Sequence, residues 1–115
     1  MGYKLTVRHG PRVRRESFGA LEPALEAARA AADEVRSEGS LRAVKALRDY
    51  TPGERVAARI EIARGGMLRG RAAGVDVMGD GSVVAFAGSV RRRELDPAPG
   101  EDAFEAVGRE LASGR

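Results

Sequence analysis

The sequence contains no cysteine, asparagine, glutamine or tryptophan, and it has a single histidine. The absence of cysteine excludes disulfide bonds and thiolate metal sites. No apolar run approaches the roughly 18–20 residues that a membrane span needs, so we expect no membrane partner. The N-terminal region lacks the apolar core of a signal peptide, which favours a cytoplasmic location.

The composition is that of one folded domain covering residues 1–115, rich in charged residues and alanine. Arginine occurs 18 times and lysine only twice. A GC-rich bacterial genome favours arginine, alanine and glycine codons, so part of the arginine excess need not reflect function. The net charge is only +3, which makes the basic character of the chain modest.

The first half of the chain predicts two strands and a helix. Tyr3, Leu5 and Val7 alternate with polar residues, which is typical of a half-buried strand, and residues 12–18 read as the returning strand. Residues 21–36 place apolar side chains on one stripe of a helix. We expect this helix to end at Gly39, because glycine is favoured just after the last helical turn.

The second half predicts three or four strands and a final helix. Residues 41–50 fit either a strand or a helix, and we favour a strand because the turn sequence 51–54 follows it. Residues 55–64 alternate as a strand, and residues 68–95 form a hairpin. Residues 101–113 form the last helix, with an acidic first turn that suits the helix dipole. The order β-β-α-β-β-β-β-α predicts an α+β fold with two helices packed on one face of an antiparallel sheet.

The hairpin contains an Asp80-Gly81 pair between two apolar runs, which is a strong signal for a two-residue turn. With this pair at the centre of the turn, Val77 lies opposite Val84 and Val75 lies opposite Phe86. Val75, Val77, Val84 and Phe86 would then face the core. The other face of the hairpin would carry small residues, and this division depends entirely on the register.

A flat face of small residues favours self-association, as a homodimer, or docking of another protein. The predicted interface consists of small residues with an arginine rim: Ala72, Gly74, Ala85, Ala87, Ser89, Arg91 and Arg93. The alternative is that the N-terminal hairpin or a loop of the same chain covers this face.

Charge is segregated along the chain, because the strand regions are basic and the helical regions are acidic. Residues 1–19 carry five bases and one acid, and residues 41–75 carry eight bases and three acids. This distribution predicts a second candidate function, nucleic-acid backbone binding by sheet arginines. The candidate residues are Arg12, Arg14, Arg55, Arg59, Arg69 and Arg71. The alternative is a solvated surface with acid–base pairs between sheet and helix edges.

No arrangement of residues predicts an active site, a metal or a cofactor, so we expect a non-enzymatic domain. The segment from Asp76 to Ser82 resembles the start of a calcium-binding loop. A loop that begins at Asp76 would place Met78 and Ala87 at two of the ligand positions, and neither side chain can bind calcium. His9 has no nucleophile at a supporting spacing. Asp80 and Gly81 are better explained as turn residues.

Three segments together resemble small uncharacterised α+β proteins of GC-rich bacteria. They are Tyr3-x-Leu5-x-Val7 with the following 10–13, then 56–59, then 74–77 with 79–82. The resemblance covers most of the chain and implies a small domain that stands alone. It rests on turns and strands, so it implies no particular activity.

Overall fold

The computed structural model describes residues 2–45, 56–65, 71–88 and 91–112. Within these residues, six strands and two helices follow one another in the order expected from the sequence. They are β1 (Tyr3–His9), β2 (Arg12–Phe18), α1 (Leu21–Lys45), β3 (Val56–Arg64), β4 (Arg71–Met78), β5 (Val83–Ala87), β6 (Arg93–Glu94) and α2 (Ala103–Ala112).

The strands form one antiparallel sheet in the order β2-β1-β3-β4-β5-β6. Helix α1 packs mainly on β1 and β3, and α2 packs on β4 and β5. Both helices lie on the same face, which confirms the predicted α+β class. We call the opposite face of the sheet the open sheet face.

The core lies between the helices and the strands. Alanine supplies most of the buried surface of α1, at Ala24, Ala28, Ala31 and Ala32, with Val35 at one end. Because alanine side chains are short, α1 lies close to the sheet. The most deeply buried large side chains facing it come from the central strands: Leu5, Ile60, Ile62, Val75 and Val77.

Helix α1 is longer than predicted. It continues through Gly39 to Lys45, so the strand favoured for residues 41–50 is wrong for residues 41–45, and residues 46–50 lie outside the described part. A glycine inside a helix costs only about 1 kcal/mol, and no proline follows to stop the helix there. The expected turn 51–54 also lies outside the described residues, and the short β6 supplies the sixth strand.

The β4–β5 hairpin closes through a three-residue loop, not the two-residue turn predicted. Gly81 N–H donates to the Met78 carbonyl at 2.9 Å, and Met78 N–H donates to the Ser82 carbonyl at 2.8 Å. Gly81 has φ of 90°, which glycine tolerates without strain. This is a tight turn followed by a left-handed residue. Asp80 Oδ1 accepts hydrogen bonds from both the N–H and the hydroxyl of Ser82, at 2.9 and 2.6 Å.

The extra loop residue shifts the register by one, so the predicted hairpin faces are wrong beyond the turn. Val77 pairs with Val83, Val75 with Ala85 and Gly74 with Phe86. Since side chains alternate between faces, Ala85 and Ala87 join the core under the helices. Phe86 and Val84 lie instead on the open sheet face.

A reciprocal cap starts α2. Asp102 Oδ1 accepts the N–H of Glu105 at 2.8 Å, and Glu105 Oε1 accepts the N–H of Asp102 at 2.8 Å. Arg29 of α1 donates to the same Asp102 carboxylate at 2.6 Å and lies 4.9 Å from the centre of the Phe104 ring. The hydrogen bond from Arg29 lowers the pKa of Asp102, against the opposing effect of burial.

Replacing Asp102 with alanine should lower the free energy of unfolding by about 1–2 kcal/mol, because the cap of α2 is lost. The lowered pKa of Asp102 means that its ionisation contributes stability above the ordinary carboxyl pKa, and that this contribution disappears as the pH falls through the lower value. Urea denaturation at neutral and acidic pH measures both effects. Asp96→Ala is the control, and equal destabilisation by the two variants would contradict this role for Asp102.

The observed register predicts that Ala85→Glu unfolds the protein. Ala85 is 2% exposed and faces the helices, so a glutamate there would bury an unpaired charge at a cost of more than about 3 kcal/mol. Ala63→Glu is the matched control, because Ala63 is exposed on the open sheet face opposite Lys4. Thermal denaturation compares the two variants. A folded Ala85→Glu protein would rule out the pairing of Val75 with Ala85.

Candidate functional site

The open sheet face is built by alternate residues of every strand. Its central row runs across the sheet from Arg15 through Thr6, Glu61, Gly74 and Phe86 to Glu94. A neighbouring row runs through Val13, Arg8, Arg59, Asp76 and Val84. The face is therefore charged at many positions and is not the flat small-residue surface that the sequence predicted.

Phe86 lies on this face but is only 4% exposed, because two guanidinium groups cover its ring. Arg59 lies 5.6 Å from the ring centre, and Arg92 lies 5.3 Å from it. Arg59 also makes two hydrogen bonds to Asp76, with Nε to Oδ1 at 2.6 Å and NH2 to Oδ2 at 2.9 Å. The hydrogen bond to Asp76 raises the pKa of Arg59 above its usual value, so this guanidinium stays charged.

Gly74 makes the close packing beneath this cluster possible. It is buried and pairs with Glu61 on one side and Phe86 on the other. A Cβ at this position would lie 2.0 Å from the Ile60 carbonyl oxygen, so any larger residue must displace the β3 backbone. Gly74, which was predicted as an interface residue, is therefore required for the packing of β4 against β3.

Strands β1 and β2 carry a group of cations that we call the basic patch, consisting of Lys4, Arg8 and Arg15. All three are exposed, and none makes an ion pair within the part of the chain that the structure describes. Thr6 lies between them on β1, and Ser17 lies opposite Lys4. The polar residues Lys4 and Arg8 that alternate with the apolar residues of β1 contain this signal in the sequence, but neither was among the predicted candidates.

Glu61 forms the acidic border of the basic patch. It lies directly opposite Thr6, and its Oε2 atom is buried without a hydrogen-bond partner among the described residues. The carboxylate of Glu61 on β3 repels anions, whereas the cations of β1 and β2 attract them. An anionic ligand would therefore bind along β1 and β2. The basic patch thus follows the two strands lengthwise and does not cross the sheet.

The arginines on the helix side of the sheet form ion pairs with acidic side chains, unlike the cations of the basic patch. Arg12 lies 3.3 Å from Glu38, and Arg14 lies 3.7 Å from Glu34 of α1. Further pairs on this side join Arg29 to Asp102, Arg71 and Arg93 to Glu110, and Arg109 to Glu101. The sequence predicted acid–base pairs between sheet and helix edges as the alternative to nucleic-acid binding, and such pairs are present.

The predicted nucleic-acid residues do not gather on one surface. Arg12 and Arg14 lie on the helix side of β2, whereas Arg59 lies on the open sheet face, because alternate residues of antiparallel strands point to opposite faces. Arg71 pairs with Glu110 at 3.5 Å. Arg55 and Arg69 lie outside the described residues.

The predicted interface residues are also divided. Ala72 and Gly74 lie on the open sheet face, but Ala85 and Ala87 are buried under the helices, which corrects their predicted placement. Ser89 lies outside the described residues. Arg91 and Arg93 line a notch of about 240 Å³ at one end of the sheet. Its other lining residues are Arg71, Ala72, Ala87, Gly88 and Glu110.

A second cavity, of about 340 Å³, lies between α1 and the β1–β2 hairpin. Val7, Ala31 and Val35 contribute apolar lining, and His9 is at its edge, 3.9 Å from Glu38. Its two arginines and two glutamates balance in charge, so the cavity favours neither sign of ligand. His9 lies near no hydroxyl within hydrogen-bonding distance among the described residues.

Within the described ranges, no group of acidic or histidine side chains is arranged to hold a metal ion. No described helix is long and apolar enough to cross a membrane. No family model, no curated protein and no solved structure matches this chain. The resemblance to small proteins of GC-rich bacteria therefore stays a prediction.

The pair between Arg59 and Asp76 should show measurable coupling in a double-mutant cycle. We expect a coupling free energy of about 1 kcal/mol from Arg59→Ala, Asp76→Ala and the double variant, because the pair is bidentate and partly buried. Arg59→Ala alone should cost more than Asp76→Ala, since it also uncovers Phe86. The exposed Arg36–Asp33 pair provides the control cycle, with a smaller expected coupling. Equal coupling in both cycles would contradict a special contribution from the cluster.

Proposed function

We propose that this protein is a non-enzymatic binding domain that holds the phosphate backbone of a nucleic acid on the open sheet face. The observation that carries the proposal is the basic patch, where Lys4, Arg8 and Arg15 lie together without acidic partners among the described residues. Cations of this kind bind phosphates through charge alone. The hydroxyls of Thr6 and Ser17 add donors for phosphate oxygens.

The covered position of Phe86 favours a contact with the backbone and not with the bases. Single-strand readers stack bases on exposed aromatic rings, but this ring lies beneath Arg59 and Arg92. Binding should then depend little on base sequence. The acidic border at Glu61 supports a ligand that runs along β1 and β2.

A protein partner on the same face, including a second copy of the chain, was the first hypothesis from the sequence. Protein interfaces usually depend on a few aromatic or large apolar anchors at their centre. Here the central aromatic side chain is covered, and Val13, at 43% exposure, lies at the sheet edge. These features favour a nucleic acid over a protein partner on this face.

The proposal predicts a salt-dependent affinity for single-stranded DNA or RNA. Three phosphate contacts give a slope of about −2 for log K against log salt, and Arg8→Ala or Arg15→Ala should reduce its magnitude by about 0.7 each. Fluorescence anisotropy with labelled oligonucleotides of two unrelated sequences measures these slopes. Arg12→Ala is the matched control, because it removes the same charge from the helix side of β2.

Equal loss of affinity in Arg8→Ala and Arg12→Ala would show that net charge, not the open sheet face, determines binding. No binding at low salt would reject the proposal outright. Polyglutamate serves as an acidic protein analogue. If it bound through Arg8 and Arg15 while both oligonucleotides failed to bind, an acidic protein would replace the nucleic acid as the partner of this face.

A further inference from the structure

The two edges of the sheet differ in length. β6 has two residues, whereas β2 has seven, and among the described strands β2 has a neighbour only at β1. A free edge of this length presents a row of backbone N–H and C=O groups that can pair with another strand. Six of the seven β2 residues are exposed.

The sequence of β2 matches itself when a second copy runs antiparallel along it. If the pairing centres on Arg15, Arg14 lies opposite Glu16 of the second copy, and the same pair recurs on the other side of the two-fold axis. Arg14 is exposed and lies 3.7 Å from Glu34 of its own chain, so Glu16 would be its second acidic neighbour. Val13 then lies opposite Ser17 of the second copy. Opposite charges facing each other across strands stabilise such a pair.

This register also uses the whole strand. Centring on Arg15 pairs every residue from Arg12 to Phe18, whereas centring on Arg14 brings Pro11, which lacks an N–H, into the ladder opposite Ser17. A shift by one residue would turn the second copy over, so that its helices would lie on the other side of the joined sheet. Arg15 then faces its own copy at the axis, on the exposed side where water and salt screen the repulsion.

We infer that two copies of this chain associate through β2, antiparallel and centred on Arg15, so that their sheets become one continuous sheet. The partner is a second copy because the charges of β2 complement those of the same strand reversed. The inference concerns the sheet edge and does not depend on what the open sheet face binds. In this arrangement the two basic patches become neighbours across the two-fold axis.

Cysteine cross-linking tests the register directly, because the chain has no native cysteine. In Arg15→Cys the two introduced cysteines lie opposite each other, about 4.5–5.5 Å apart between Cα atoms, which suits a disulfide. In Ser17→Cys they lie more than about 13 Å apart along the strands. We expect oxidation to convert Arg15→Cys, but not Ser17→Cys, to a covalent dimer. Cross-linking of both variants or of neither would overturn the inference.

A charge exchange tests the same pairing without a covalent bond. Light scattering on a sizing column should give about 24 kDa for the unmodified protein, twice the 12.2 kDa of one chain. Glu16→Arg and Arg14→Glu should each reduce the mass to that of one chain. The double variant, and an equal mixture of the two single variants, should restore the dimer. Glu26→Arg makes the same charge change on exposed α1 and should stay dimeric.

A mass of 12.2 kDa for the unmodified protein across a concentration series would overturn the inference. A dimer that survives Glu16→Arg and Arg14→Glu would also overturn it, and would place the association on another surface, such as the open sheet face. Circular dichroism of each variant confirms that loss of the dimer is not loss of the fold.

Discussion

The register of the β4–β5 hairpin determines which side chains meet the helices and which meet the open sheet face. A three-residue loop with Gly81 at positive φ sets that register. It places the small residues Ala85 and Ala87 under α2, which buries larger side chains such as Phe104, Val107 and Leu111. It also sends Phe86 to the other face, where the sheet needs arginine side chains to cover it. One residue of loop length therefore decides which side chains of β5 face the helices and which face the open sheet face.

Charge divides between the two faces in the same way. Beside the helices, each described arginine of β2 has a glutamate of α1 close to it. On the open sheet face, Asp76 neutralises Arg59, and Arg92 lies over an aromatic ring, while the basic patch has no such partners among the described residues. The pairing on one side explains why a count of bases along the chain overstates the cations that a ligand could meet. The basic patch has three cations, which lie on β1 and on the face of β2 opposite to Arg12 and Arg14.

Much of the fold could be predicted from the sequence, because alternation in residues 3–7 and the apolar stripe in residues 21–36 depend on local spacing. The full length of α1 is not predictable at Gly39, because glycine favours a helix end there and yet the helix continues through it. The hairpin register was missed because Asp80-Gly81 suits both a two-residue turn and a three-residue loop, and the choice depends on hydrogen bonds of Met78 and Ser82. The observed register divides the predicted interface, because Ala85 and Ala87 lie on the helix side. Strand alternation divides the predicted nucleic-acid arginines. Lys4 and Arg8 were visible as polar partners of a strand, but their grouping with Arg15 required the β1–β2 pairing.

The anchoring of α2 has a consequence for how the chain folds during synthesis. Phe104, Val107 and Leu111 cover the core face of β4 and β5, and Arg29, made about 70 residues earlier, holds the start of the helix through Asp102. Until α2 has been synthesised, Val75 and Val77 have no cover from it. At roughly 5–20 residues per second, the nascent chain passes through an interval of a second or more in which this half of the sheet is exposed to aggregation. The docking of α2 is therefore the step that covers the core face of β4 and β5.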